Sequence, residues 1–259
     1  MSPSDGRPGL QVPQWFYTEF PKTRRRLPDA YRAIFVAEYR RNRGIGRPRG
    51  AKERLEGWMH RQIAEAGGRR GPVLELGAGG LNHLRWEPPG EAYDIVEPFA
   101  ELYEGQPGLP RIRTAYRAIE EIPRDRAYRR IISVATLEHV LDLPALVARS
   151  ALLLTPDGTF ASGIPSEGGL LWYLAWRFGT GPSFRWRTRL DYGVLMRHEH
   201  VNTAAEVLEV TRGFFGTVLV RRFPTPWHHG SLYAALTASR PRSDLAASFL
   251  QEAKARRGG

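Results

Sequence analysis

The chain has 259 residues, 42% hydrophobic and 25% charged, enough for one soluble domain with a full core, with or without a modest appendage. It contains no cysteine, which excludes disulfides, thiol nucleophiles and thiolate metal sites. The net charge of +11 suits a nucleic-acid or phosphate partner, but only Lys22, Lys52 and Lys254 are lysines, and so strong an arginine bias follows equally from GC-rich coding.

No apolar run approaches the roughly 20 residues that cross a bilayer. Met1-Ser2-Pro3-Ser4-Asp5 lacks the basic and apolar regions of a signal peptide, so a cytoplasmic location is expected. Residues 1–28 are rich in Pro, Gly and Arg and are expected to start without regular structure. Trp15-Phe16-Tyr17 is an aromatic cluster within them, able to form a flap over a ligand or to dock on the domain. Asp29 can cap a helix to about Arg41, broken by Gly44-Ile45-Gly46-Arg47-Pro48. A second helix spans about Ala51 to Ala66, with Leu55, Met59 and Ile63 at helical spacing. These segments make residues 1–68 an N-terminal tail and helical extension.

From Pro72 strands and helices alternate. Val73–Leu76 reads as a buried strand followed by a glycine turn and a helix start. Tyr93–Val96 is the second strand and Arg130–Val134 a fourth. Leu143–Leu154 is a helix stopped by Pro156-Asp157-Gly158, and Thr159–Ile164 the next strand. Residues 165–200 interrupt the rhythm with Trp172, Tyr173, Trp176, Phe178, Phe184 and Trp186, interleaved with Arg177, Arg185, Arg187 and Arg189. Thr203 and Glu206 form a capping box. Thr217–Arg222 and Ser231–Thr237 are two final strands, and residues 241–259 a charged tail that forms at most a fraying helix. The alternation implies a parallel sheet with helices on both faces, spanning residues 69–240.

In such a sheet, ligands bind beyond the carboxyl ends of the strands. Gly77, Gly79 and Gly80 leave the backbone open to close approach there. Glu97 ends the second strand about twenty residues on, where a carboxylate accepts hydrogen bonds from ribose hydroxyls. A nicotinamide fingerprint would need a third glycine where Asn82 stands. A sulfonium cofactor remains.

Val73-Leu74-Glu75-Leu76-Gly77-Ala78-Gly79 resembles the first motif of class I S-adenosylmethionine-dependent methyltransferases. Ile131–Val140 resembles their fourth-strand motif, Leu152–Phe160 their turn into the fifth strand, and Arg212-Gly213-Phe214-Phe215 their late Gly-Phe. The resemblance implies a Rossmann-like, doubly wound, mainly parallel seven-stranded sheet with an antiparallel last strand. It implies S-adenosyl-L-methionine as cofactor. Gly77 and Gly79 would wrap its methionine end, Glu75 would reach its amino group, Glu97 its ribose, and Ala135 would present backbone to the amino-acid end. The adenine would lie near Arg117-Ala118-Ile119-Glu120, with Ala118 where relatives often carry aspartate. Leu81 stands in place of the third glycine of the family motif.

Methyl transfer to a hydroxyl benefits from a base, and His139, His198 and His200 are the catalytic candidates. His228-His229 is a weaker one. A His-x-His pair can also be half of a metal site, but no companion ligands stand at recognisable spacing, so no metal is assigned. The aromatics and arginines of 165–200 suggest acceptor recognition, of an anionic small molecule such as a sugar or sugar nucleotide. They also allow an amphipathic helix packed through Leu170, Leu171 and Leu174. The resulting reading is O- or N-methylation of a small molecule. The alternatives are an RNA methyltransferase, motivated by the charge and Arg24-Arg25-Arg26, and a non-catalytic cofactor-binding partner protein.

Overall fold

The structure is a computed structural model in which residues 11–35, 51–68 and 70–258 are described, 51–54 by backbone alone. The expected break at Gly44–Pro48 and the helix end near Arg41 lie outside the described residues.

The strands are Val73–Leu76 (β1), Tyr93–Val96 (β2), Ile112–Tyr116 (β3), Tyr128–Val134 (β4), Leu154–Pro165 (β5), Phe215–Pro224 (β6) and Ser231–Pro241 (β7). They form one sheet in the order β3-β2-β1-β4-β5-β7-β6. β1 to β5 pair in parallel, while β7 runs antiparallel to both β5 and β6. β1 lies between β2 and β4 and is buried along its whole length, which is why it reads as a nearly unbroken apolar run.

The helices are Trp15–Thr18 (α1), 29–35 (α2), Ala51–Glu65 (α3), Leu143–Leu153 (α4), Leu170–Ala175 (α5), Gly181–Thr188 (α6), Tyr192–Glu199 (α7), Ala204–Phe214 (α8) and Ser243–Gly258 (α9). A π-helical turn, Trp176–Thr180, joins α5 to α6. The strand period of two sends Leu74, Ile131, Phe160 and Leu236 to one core and Val73, Ile132, Ala161 and Ala235 to the other. The first core is closed by α4, α8, α9 and the α1 turn; the second is closed by α3 through Ile63. The expected capping box starts α8: Glu206 N donates to Thr203 Oγ1 (3.2 Å) and Thr203 N to Glu206 Oε2 (2.7 Å).

Several expectations are corrected. No α-helix follows the glycine turn; the link to β2 holds a 3-10 turn, Leu84–Trp86. Pro88, Pro89 and Gly90 stop helix growth there. α4 ends at Leu153 and its chain passes at once into β5, five residues before the expected strand start at Thr159, with Pro156–Gly158 accommodated in a register shift against β4. Asp29 lies within α2, where the Pro28 carbonyl accepts from Tyr31 and Arg32. The C-terminal segment does not fray: α9 buries Ala246, Phe249 and Ala253 against the core. Phe16 is fully buried, with ring centroids 5.7 Å from Phe214 and 6.3 Å from Phe249, so the aromatic cluster docks rather than forming a flap. Leu170 and Leu174 are exposed, so α5 does not pack as an amphipathic core helix. No helix among the described residues is long and apolar enough to cross a membrane.

Candidate active site

The turn after β1 runs through the left-handed region. Gly77 has φ +69° and Gly79 φ +51°. A Cβ on Gly77 would lie 2.3 Å from Thr136 Cγ2, so glycine lets the turn pass the end of β4. A Cβ on Gly79 would meet nothing within 4 Å, which leaves open space over that backbone. Ala135, one residue past β4, has φ +51° without being glycine, and its N–H donates to Gly163 O (2.7 Å). Backbone held in this region by its surroundings tends to sit at functional sites.

A cavity opens at this edge of the sheet. Glu75, Gly77, Gly79, Ala135, His139 and His200 all line it, so the fold gathers six of the ten site residues expected from the sequence. The other four do not line it. Glu97 is buried, its Oε2 accepting from Gly79 N (2.8 Å) and its Oε1 from Phe99 N (3.1 Å). It fastens the glycine turn to the end of β2. Ala118 and Ile119 lie at the 3-10 turn after β3, where Glu120 pairs with Arg149 (3.0 Å). His198 Nδ1 is 2.6 Å from Arg25 O, and its ring packs edge-on against Phe35, so it anchors the N-terminal arm.

Residues 165–200 contribute Pro165, Trp172, Thr180, Tyr192, Met196 and Glu199 to the cavity wall. The arginines of this segment do not line the cavity. Carboxylates do: Glu56, Glu75, Glu138 and Glu199. That distribution opposes the anionic acceptor expected from the arginine content.

One polar chain was not foreseen. His60 on α3 faces His83 through their Nδ1 atoms at 2.9 Å. His83 Nε2 lies 3.0 Å from Glu87 Oε1, and Arg130 grips Glu87 through two nitrogens at 2.7 and 3.0 Å. Burial drives the His60 pKa down to about 3, reinforced by the charges of His83 and Arg85. Burial pushes Glu75 up to about 7, although His83 and the Tyr93 hydroxyl (2.8 Å) pull the other way. Burial also raises Glu87, but the hydrogen bonds from His83 and Arg130 outweigh it and hold its carboxyl below the ordinary range. His83, three residues beyond Gly80, carried a visible signal; His60 did not, because helical spacing alone says nothing about which sheet edge a helix will cross.

A second cluster lines the same cavity. Glu138, His139 and His200 present one ligand-type atom each within 4.8 Å of one another. Of the His-x-His pair only His200 takes part, with Glu138 and His139 from the turn after β4, while His198 faces Arg25. The 137–140 turn is tied to 201–202: Val201 N and Asn202 N donate to Glu138 O at 2.8 and 3.1 Å, and Asn202 Nδ2 donates to Leu137 O and Val140 O at 2.8 and 2.7 Å.

The sequence matches no protein-family model and no curated protein. The structure is similar to solved ones. It matches the N-methyltransferase NodS from Bradyrhizobium japonicum WM9, in complex with S-adenosyl-L-homocysteine, at TM-score 0.55 and 12% identity, over 83% of this chain and 100% of that one. An S-adenosylmethionine-dependent methyltransferase from Thermotoga maritima matches at TM-score 0.54 and 13% identity, over 82% and 98%. A Haloferax volcanii complex of a methyltransferase with the Trm112 methyltransferase activator gives TM-score 0.54 and 14% identity, over 83% and 100%. The chain has the class I methyltransferase fold.

Within the methyltransferase fold, the glycine turn and the Glu138–His139–His200 cluster line one cavity, and Thr136, two residues before Glu138, touches Gly77. The methyltransferase sheet supplies the first from β1 and the second from the turn after β4 and the end of α7.

Proposed function

We propose that this protein transfers the methyl group of S-adenosylmethionine to a small-molecule acceptor held beneath residues 165–200. The observation that carries the reading is the glycine turn, whose open backbone at Gly79 shares a cavity with Glu138, His139 and His200. The residues present fit the cofactor. Gly77 and Gly79 offer backbone without side chains, Ala135 offers strained backbone in the same cavity, and the buried Glu75 offers a carboxylate for an amino group. Glu97 uses one lone pair on each oxygen for the turn, which leaves acceptor capacity for ribose hydroxyls. Ala118 and Ile119 would flank the adenine.

The cofactor supplies an electrophilic methyl group on a sulfonium for in-line displacement. The chain's task is positioning, which can lower a barrier by about 7–11 kcal/mol. Trp172 lies near Tyr233 and His200, with ring centroids 5.7 and 6.3 Å away, and gives a flat wall for the acceptor. Acceptor activation falls to the Glu138–His139–His200 cluster. The acidic lining favours a neutral, hydroxyl-bearing acceptor over an anionic one.

Calorimetry with S-adenosylhomocysteine is expected to give one site per chain, and Glu97→Ala to weaken it at least tenfold. Labelled methyl groups are expected to enter a metabolite extract in the presence of the protein. Absence of cofactor binding by the wild type overturns the proposal.

A further inference from the structure

We propose that Glu138, His139 and His200 form a binding site for a divalent transition-metal ion on the acceptor wall of the cavity. Its role in acceptor activation rests on the methyltransferase reading; the binding itself does not.

The histidine hydrogen bonds carry the argument. His139 Nδ1 lies 2.9 Å from the backbone carbonyl of Glu199. A carbonyl can only accept, so the proton of the neutral ring sits on Nδ1 and the Nε2 lone pair is left as a donor atom. His200 Nδ1 lies 2.7 Å from Glu167 Oε2, an oxygen that also accepts from Trp172 Nε1 at 2.6 Å. The neutral His200 ring therefore carries its proton on Nδ1 as well. Metal-bound histidines are oriented in this way, with the far ring nitrogen donating to a carboxylate or a backbone carbonyl. Both candidate ligands of this chain have such a partner, from two different elements.

The third ligand is the buried carboxylate of Glu138, with Oε1 3.8 Å from His139 Nε2. Ligand atoms about 2.1 Å from one ion stand about 3.0–3.4 Å apart, so side-chain rotations that shorten separations of up to 4.8 Å would close the set. The two imidazole planes stand at 87° with centroids 4.9 Å apart, an edge-to-face pair rather than a stacked one. The hydrogen bonds between residues 137–140 and 201–202 fix the ligands' backbones relative to each other. Glu138, Glu167 and Glu199 surround the pair and favour a cation.

Two nitrogens and one oxygen, in a chain without cysteine, suit Mn²⁺, Fe²⁺, Co²⁺ or Zn²⁺ better than the all-oxygen preference of Mg²⁺ or Ca²⁺. Three protein ligands leave positions open for substrate. The site thereby names an acceptor class: a molecule with a hydroxyl and an adjacent oxygen donor. The ion would polarise that hydroxyl. Its proton passes to water, the new C–O bond forms as the sulfonium C–S bond breaks, and the electron pair goes to sulfur. His139 and His200 act here as ligands, not bases.

The test titrates Co²⁺ into chelator-treated protein and follows its visible absorption. One equivalent is expected to bind with a spectrum of mixed nitrogen and oxygen ligation, displaced by Zn²⁺. His139→Ala and His200→Ala are expected to weaken binding at least 100-fold, and Glu167→Gln by about 10- to 100-fold. His229→Ala, outside the cavity, is expected to bind as wild type. Thermal midpoints of all variants separate misfolding from ligand loss, and Zn²⁺ is expected to raise the wild-type midpoint. No stoichiometric Co²⁺ uptake by the wild type, or an unchanged spectrum in folded His139→Ala and His200→Ala, overturns the site. Wild-type calorimetry with S-adenosylhomocysteine in chelator reports separately: cofactor binding without metal uptake refutes the metal site, and metal uptake without cofactor binding refutes the methyltransferase reading.

Discussion

His60 Nδ1 and His83 Nδ1 lie 2.9 Å apart, one on the N-terminal helix α3 and the other just beyond the glycine turn of β1. A hydrogen bond between two such nitrogens needs one donor and one acceptor, and burial holds the His60 pKa at about 3 against an ordinary 6.5. Above pH 6.5 the ring is neutral folded and unfolded, so it contributes no pH dependence. As pH falls from 6.5 towards 3, only the unfolded state gains the proton, and stability is lost, in total by several kcal/mol. Urea unfolding is expected to show a smaller loss between pH 6.5 and 4 in His60→Gln than in wild type; parallel curves refute the assignment.

Glu75 gives the opposite slope. Its folded pKa is about 7 against an ordinary 4.5. Below pH 4.5 it is protonated in both states. Between 4.5 and 7 the unfolded chain releases the proton while the folded one retains it, so stability falls with rising pH, by about 3 kcal/mol in full. Glu75→Gln is therefore expected to gain most over wild type at pH 8 and least at pH 4.5. A pH-independent difference between the two would rule this out.

Arg130 and Glu87 are both buried and joined by two hydrogen bonds. Removing one charge strands the other, at a cost of about 3–5 kcal/mol. Glu87→Met and Arg130→Met are each expected to lower the urea midpoint accordingly. The double variant Glu87→Met with Arg130→Met is expected to lose less than the sum, and strict additivity would show that the pair is not coupled.

Gly77 and Gly79 should respond differently to alanine. At Gly77 a Cβ collides with Thr136, so Gly77→Ala is expected to lower the thermal midpoint as well as abolish cofactor binding. At Gly79 the space is open, and only the left-handed backbone penalty of about 1 kcal/mol applies. Gly79→Ala should stay folded yet bind S-adenosylhomocysteine at least tenfold more weakly. Equal loss of stability in both would contradict the geometry.

Much of the fold was legible because its signals are local. β1 and β2 match their expected bounds, and the Thr203–Glu206 capping box starts α8 as expected. Boundaries failed where neighbours decided them. β5 reaches back to Leu154 because β4 offers a partner at Tyr128. The helix expected after Gly80 does not form: Pro88 and Pro89 interrupt the segment, and Leu81 and Leu84 join the core packed under α3.

The sequence by itself determined the strand alternation, the glycine turn at the first strand's end and His139 just past the fourth strand. Each follows from residue type and spacing within a few residues, where backbone sterics and hydrophobic period act. Only the tertiary structure decided which of these residues meet. It set His139 against His200 and gave each imidazole its own oxygen partner, Glu199 O and Glu167 Oε2. It turned His198 towards the arm and Glu97 onto the glycine turn. Those outcomes depend on how residues 165–200, the N-terminal segment and the strand ends meet at one sheet edge, and contacts between residues far apart in the chain leave no periodicity along it.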